Sequence, residues 1–452
     1  MSTVSTLLNQ TKKSIENIET NIMNDCKVNI TTNVDNVVNV DNVNNNNVNN
    51  YKKRKNTETN EEVIDIKEDV KFVDFNLMGV KDLQKSLGNS KYSDIRVGLY
   101  RKYGIVSKDE ENVPGVYMIT YNKPGKISSK VKINLTKEQH DVVSQYRGVI
   151  VEKNTNKPLC YTFNKMSRHL PEEWDLKDCV VTKSYDGSQI KLFYYNNKWV
   201  VSTTRKIDAN NSFFFSDKSF LEMFNDSTNK PDYSKLNKDY CYSFVLAHPD
   251  NRVVARHNTA CLTHVLTRNM KTYKLVDVDI GVTKPDKVTF KSKTDMWKSV
   301  KNLPYFVEGY VVQNGSSFVK VVNTKYQSVK DLRGNSNSLL LHYFTLKKKN
   351  KIKEFLTYYP ETNETFRFFE KSFNNLCLLA YNEYVLLRIR KVITVDKLLV
   401  FLKPVLYKIH GIHITKKIRI KQSVVRQHLN EYPSFLLKKL VELANNLPYS
   451  FY

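Results

Sequence analysis

Acidic residues are scarce beside basic ones: the 452-residue chain has 46 Asp and Glu against 71 Lys and Arg, a formal charge of +25. Such an imbalance works against a cationic partner and favours a polyanion, nucleic acid first and an anionic membrane surface second. Cysteines are few and scattered (Cys26, Cys160, Cys179, Cys241, Cys261, Cys377), with no C-x-x-C pair. That argues against a disulfide framework or a zinc site and suits a reducing compartment. No apolar run approaches the roughly 20 residues of a membrane-spanning helix. The N-terminus also lacks a basic region followed by an apolar core. These absences predict an intracellular, cytoplasmic protein with no membrane partner and no obligatory protein partner.

What is present organises into three stretches, consistent with the two or three domains the length suggests. Residues 1–70 read as a disordered tail: the segment Asn29–Asn50 is dominated by Asn, Val, Asp and Thr around the run Asn44-Asn45-Asn46-Asn47, and a basic cluster follows at Lys52–Lys55. The Asn- and Lys-rich style of the chain suggests an AT-rich genome, that of a large virus or a protist. Residues 71–330 alternate short strand patterns with turns such as Pro124-Gly125 and Asn314-Gly315. Residues 331–452 switch to helical spacing, as in Phe368, Phe369, Phe373, Leu376 and Leu379, with basic runs at Lys347–Lys353 and Lys416–Lys421. The fold class expected is therefore α+β with antiparallel sheets, followed by an all-α, basic C-terminal domain.

The chemistry gathers around Val181-Thr182-Lys183-Ser184-Tyr185-Asp186-Gly187-Ser188, which reads as strand, tight turn, strand. A lysine at a strand end becomes a covalent nucleophile if its proton is removed. Two further charges, Glu308 and Lys320, sit alone in apolar strand patterns, where an ion is costly without a partner or a task. With Arg147, Arg168, Arg205, Lys206 and Arg252 they outline a cationic pocket for phosphates, completed by a metal on a carboxylate.

These residues resemble the covalent nucleotidyltransferases, and most closely the phage RNA ligase 1 branch that repairs tRNA. The family nucleophile motif K-x-D-G-S is similar to Lys183 through Ser188, here with two residues between Lys and Asp. Arg147-Gly148-Val149, Asn251-Arg252-Val253-Val254, Glu308-Gly309-Tyr310-Val311 and the Lys320 strand, followed by Tyr326 and Ser328, match the other motifs in order. The family glutamate before the Asn-Arg segment falls on Ser243 or Val245, the second lysine of the last strand on Val322, and the lysine-glycine after the second strand on Thr204-Arg205-Lys206.

The resemblance implies an ATP-dependent RNA ligase sealing 5′-phosphate and 3′-hydroxyl ends through a lysyl-AMP on Lys183. Lys320 and Mg²⁺ (or Mn²⁺) would lower the amine's pKa from its free value of about 10.4. Glu308 would hold the metal. Asp186, Gly187, Arg147, Arg168, Glu308 and Lys320 would bind nucleotide, and Tyr240 or Phe244 would stack on adenine. Arg205, Lys206 and Arg252 would contact RNA, with tRNA among the candidates. A one-residue bulge would restore the amine's position. Without it the same pattern describes a catalytically degenerate nucleotidyltransferase fold that binds RNA.

Overall fold

The computed structural model describes residues 73–121, 133–214, 216–336 and 338–447. The predicted tail, the Lys52–Lys55 cluster and the Pro124-Gly125 turn lie outside them. The chain divides into two compact units, with the division at Asn337/Ser338.

The first unit is built on three antiparallel sheets. Strands β1 (Ile105–Asp109), β2 (Val116–Tyr121), β3 (Arg147–Glu152) and β4 (Pro158–Cys160) form one sheet in sequence order. It is covered by helices α1 (Leu83–Leu87) and α2 (Tyr92–Tyr103), whose buried Leu83, Leu87, Ile95, Leu99 and Tyr103 join Tyr117, Ile119 and Ile150 in one core. Helix α3 (Lys137–Gln145) begins at a Thr136/Gln139 capping box and leads directly into β3.

A second sheet has the order β7-β6-β8-β9, from β6 (Ser188–Tyr195), β7 (Lys198–Thr203), β8 (Tyr240–Ala247) and β9 (Cys261–Asn269). Between β7 and β8 lies helix α4 (Phe220–Asp226), started by the Ser219/Glu222 capping box. The third sheet has the order β11-β10-β5, from β5 (Val180–Ser184), β10 (Gly309–Asn314) and β11 (Ser317–Val322). One face of it packs Val181, Tyr310, Val312, Val319 and Val321 on Met296 and Val300 of α5 (Lys293–Asn302). Helix α6 (Thr324–Arg333) follows β11.

The Tyr185-Asp186-Gly187 turn carries the chain from the third sheet into the second. Gly187 has φ +155°, and a Cβ there would lie 2.4 Å from the carbonyl oxygen of Leu246 on β8, so glycine is what lets the turn enter β6 so close beside β8.

The second unit is helical: α7 (Leu339–Lys348), α8 (Ile352–Tyr358), α9 (Asn363–Tyr384), α10 (Lys403–Lys416), α11 (Gln422–Glu431) and α12 (Ser434–Asn445). Phe369, Phe373, Leu376 and Leu379 form the expected buried stripe of α9, whereas Phe368 is 51% exposed. No described helix is long and apolar enough to cross a membrane.

Candidate functional site

The face of the third sheet opposite α5 carries an ionic cluster around Glu308. Glu308, the residue just before β10, is only 4% exposed. Its Oε2 accepts from Lys320 Nζ at 2.8 Å and from Ser184 Oγ at 2.6 Å, and its Oε1 accepts from Lys330 Nζ at 3.2 Å. Burial alone would raise the Glu308 pKa. The charges of Lys320 and Lys330, with hydrogen bonds from Lys320 and Ser184, outweigh it and hold the carboxyl at about 2. Burial lowers the pKa of Lys320; the charges of Lys330 and Arg147 add to that while Glu308 opposes it. Arg147 donates from Nη1 to Gln189 Oε1, and Gln189 Nε2 reaches Ser243 Oγ at 3.0 Å, so Arg147 is braced beside the cluster. Gly148, φ +71°, lies under it: a Cβ there would sit 2.6 Å from the Thr204 carbonyl oxygen.

Lys183 is not part of this cluster. In the β5–β10–β11 register Lys183 pairs with Tyr310 and Tyr310 with Val321, while Val311 pairs with both Thr182 and Lys320. Side chains alternate faces along a strand, so Lys183 shares a face with Tyr310 and Lys320 lies on the other. The β5–β10 register runs from Ser184 to Val180 without a bulge, so the expected correction by an extra residue is not made. Lys183 instead pairs with Asp286 at 2.9 Å, both side chains more than half exposed, and its own N–H donates to the Asp286 carbonyl. The hydrogen bond and charge of Asp286 raise the Lys183 pKa, the reverse of what a nucleophilic amine needs. Ser184 occupies the position two residues before Asp186 and faces Glu308.

Asp186 has a bracing role. Its Oδ2 accepts from the Val254 and Ala255 N–H groups at 2.9 and 2.8 Å, and its Oδ1 accepts from the Tyr326 hydroxyl. Gly187 contributes close backbone approach, as above. Arg168 is exposed and follows Ser167, whose carbonyl accepts from the Lys320 N–H, so it sits at the β11 edge. Arg205 is exposed, and its charge acts on Arg147. Lys206 turns toward Glu110, 3.9 Å away, and Arg252 donates from Nε to the Val254 carbonyl at 3.0 Å. Phe244 is fully buried against Phe224 and His264 and is not placed to stack on a base, whereas Tyr240 is half-buried at the edge of the same core.

Sequence reasoning missed Ser184, Gln189 and Lys330. Lys330 stands one helical turn after Tyr326 on α6, a spacing that could have flagged it. The expected metal on Glu308 does not suit the donor set. Both carboxylate oxygens are taken by ammonium and hydroxyl groups, and no group of three or more His, Cys, Asp or Glu suited to a metal occurs among the described residues. The arrangement can bind phosphate through Lys320, Lys330 and Arg147, and Lys183 stands outside it.

No family model matches the chain. It is 26% identical over 307 residues to an immediate-early protein ICP-46 homolog of Invertebrate iridescent virus 3, covering 61% of this chain and 69% of that protein. Over 85 residues it is 36% identical to an RNA ligase of Rhodothermus phage RM378, which is 16% of this chain and 19% of that one. Among solved structures it is similar to an archaeal ATP-dependent RNA ligase, with a TM-score of 0.37, 12% identity, and coverage of 61% of this chain and 70% of that one.

Proposed function

We propose that this chain is an RNA-binding protein on a nucleotidyltransferase-like scaffold. Its pocket seats nucleotide or RNA phosphates among Lys320, Lys330 and Arg147 without forming a lysyl-nucleotide. The observation that carries the reading is the side-chain alternation of β5: Ser184 faces Glu308, and Lys183 lies on the opposite face, paired with Asp286. A phosphoramidate needs an amine at the attacking position, and serine has none.

A second reading is an ATP-dependent RNA ligase that forms lysyl-AMP on Lys183. It is favoured by the presence of Glu308, Lys320 and Arg147 in one cluster and by the short stretch of 36% identity to a phage RNA ligase. It requires β5 to rearrange so that Lys183 turns inward.

Incubation with α-labelled ATP and Mg²⁺ or Mn²⁺, read on a denaturing gel, separates the two. The expected result is no label on the wild type and a gain of label in Ser184→Lys, which places an amine opposite Glu308. Label on the wild type that Lys183→Ala abolishes would overturn the first reading and establish the second. Failure of the wild type to bind RNA or ATP at low salt would sink both.

A further inference from the structure

Two basic runs stand out in the helical unit, and the structure treats them differently. In the run Lys347–Lys353 the charges are largely engaged. Lys347 pairs with Glu370 at 2.6 Å, Lys351 with Glu354 at 3.4 Å, and Lys348 reaches the Glu431 carbonyl at 3.4 Å. The stretch 385–421 is another matter. It holds ten Lys and Arg and a single acid, Asp396. With the described residues, none of Arg388, Arg390, Lys391, Lys416, Lys417 or Arg419 makes an ion pair.

The fold brings the two ends of this stretch together. Helix α9 leaves through a five-residue π-turn, Val385–Ile389, which carries Arg388. The Tyr384 hydroxyl is 3.2 Å from His410 Nδ1 on α10, and the charge of Arg388 acts on that imidazole. His410 and His413 stack, with ring centroids 5.8 Å apart and planes 22° apart. His413 Nδ1–H donates to the Ile418 carbonyl at 2.8 Å, which leaves its other nitrogen free of that bond. Burial first, then the charges of Arg388 and His413, push the His410 pKa below its ordinary value. Lys416 closes the same helix one turn further along and Lys417 caps it in a left-handed conformation, both exposed. The result is a stripe of cations flanking a planar, partly exposed ring stack.

We propose that this stripe, from Arg388 across His410 and His413 to Lys417 and Arg419, is a binding surface for single-stranded RNA. It is separate from the phosphate cluster of the first unit and does not depend on the reading of that cluster. Unpaired cations track a phosphate backbone, and stackable rings between them accept bases of any sequence. An anionic membrane is the competing polyanion, since Ile389, Val392 and Ile414 are exposed by 53%, 63% and 61%. On α10, however, Ile414 stands among His413, Thr415, Lys416 and Lys417 and forms no continuous apolar face.

The test uses the full chain and an unstructured, end-labelled RNA of roughly 16 nucleotides, followed by fluorescence anisotropy over a salt series. The variant Lys416→Glu/Lys417→Glu/Arg419→Glu should bind at least about tenfold more weakly near 0.1 M salt. Its slope of log affinity against log salt should fall by about two, three phosphate contacts being worth about 0.7 each on a single strand. His413→Ala should weaken binding by about tenfold at any salt. A charge-matched control, Lys349→Glu/Lys353→Glu/Lys371→Glu, should lose far less. Equal losses in both triple variants would mean that net charge alone does the binding, which overturns the surface. Wild-type affinity in the first triple variant would overturn it too. Binding to phosphatidylserine vesicles with no binding to RNA would replace RNA with a membrane. Helical circular dichroism of each variant distinguishes lost contact from lost fold.

Discussion

Replacing Glu308 by Gln tests the electrostatics of the site most directly. The carboxyl is buried, accepts from Lys320, Lys330 and Ser184, and ionises at about 2 against an ordinary 4.5. At 1.36 kcal/mol per decade, that difference corresponds to about 3 kcal/mol favouring the folded state near neutral pH. Because the folded carboxyl is the stronger acid, the unfolded chain binds the extra proton between the two values. The contribution is full above 4.5 and disappears as the pH falls through about 2. At pH 3 it should have dropped to about 1.4 kcal/mol. The stability gap between wild type and Glu308→Gln should therefore narrow by about 2 kcal/mol between pH 7 and pH 3. Urea unfolding followed by tryptophan fluorescence reads the right unit, since Trp174, Trp199 and Trp297 all lie within residues 50–337. Burial lowers the pKa of His264 to about 4, which adds acid sensitivity of its own, but it is common to both proteins and cancels in the difference. A gap that does not change with pH, or a variant as stable as the wild type throughout, would refute the account of a carboxylate held ionised by two ammonium groups.

Other substitutions follow from the same geometry. Asp186→Ala leaves the Val254 and Ala255 N–H groups and the Tyr326 hydroxyl without their acceptor and should cost about 3 kcal/mol or more by the same fluorescence assay. Gly148→Ala forces a side chain into a left-handed residue against the Thr204 carbonyl and should cost about 2 kcal/mol or more, with a loss of RNA affinity through Arg147. Lys183→Ala, at an exposed pair, should leave urea midpoint and RNA affinity at wild-type levels.

The architecture was legible where one physical signal dominated. The change from a strand period to a helical one separates the strand-bearing stretch from the helical one, because each period reports which face is buried; α6 (Thr324–Arg333) is already helical before the division at Asn337/Ser338. The Gly315-Ser316 connection of the β10–β11 hairpin was readable from Asn-Gly. Single side chains were harder. Phe368 has the spacing of a core residue and is exposed, because α9 buries a stripe through Phe366, Phe369 and Phe373 and Phe368 falls beside it. Lys206 and Arg252 carry the right charge for a phosphate, yet one turns to Glu110 and the other donates to the Val254 carbonyl. Charge is visible in a sequence; which of several partners captures it is decided by chain segments far away.

The nucleophile position shows how much a parity can decide. Glu308 and Lys320 were found as lone ions in apolar strands, and the fold does join them, since neither can be buried alone. Lys183 matches the nucleophile in residue type alone. A strand has period two, so an amine three residues before Asp186 and an amine two residues before it lie on opposite faces unless a bulge intervenes. Motif order and residue identity survive a one-residue change in spacing, but side-chain direction does not. The register from Lys183–Tyr310 to Val311–Lys320 has no bulge, and Asp286 holds Lys183 where it is with both a side-chain and a backbone bond. Turning Lys183 inward would break that pair and the Ser184–Glu308 bond and would carry Val181 out of its core. Each of these interactions therefore stabilises the register that keeps the amine outside.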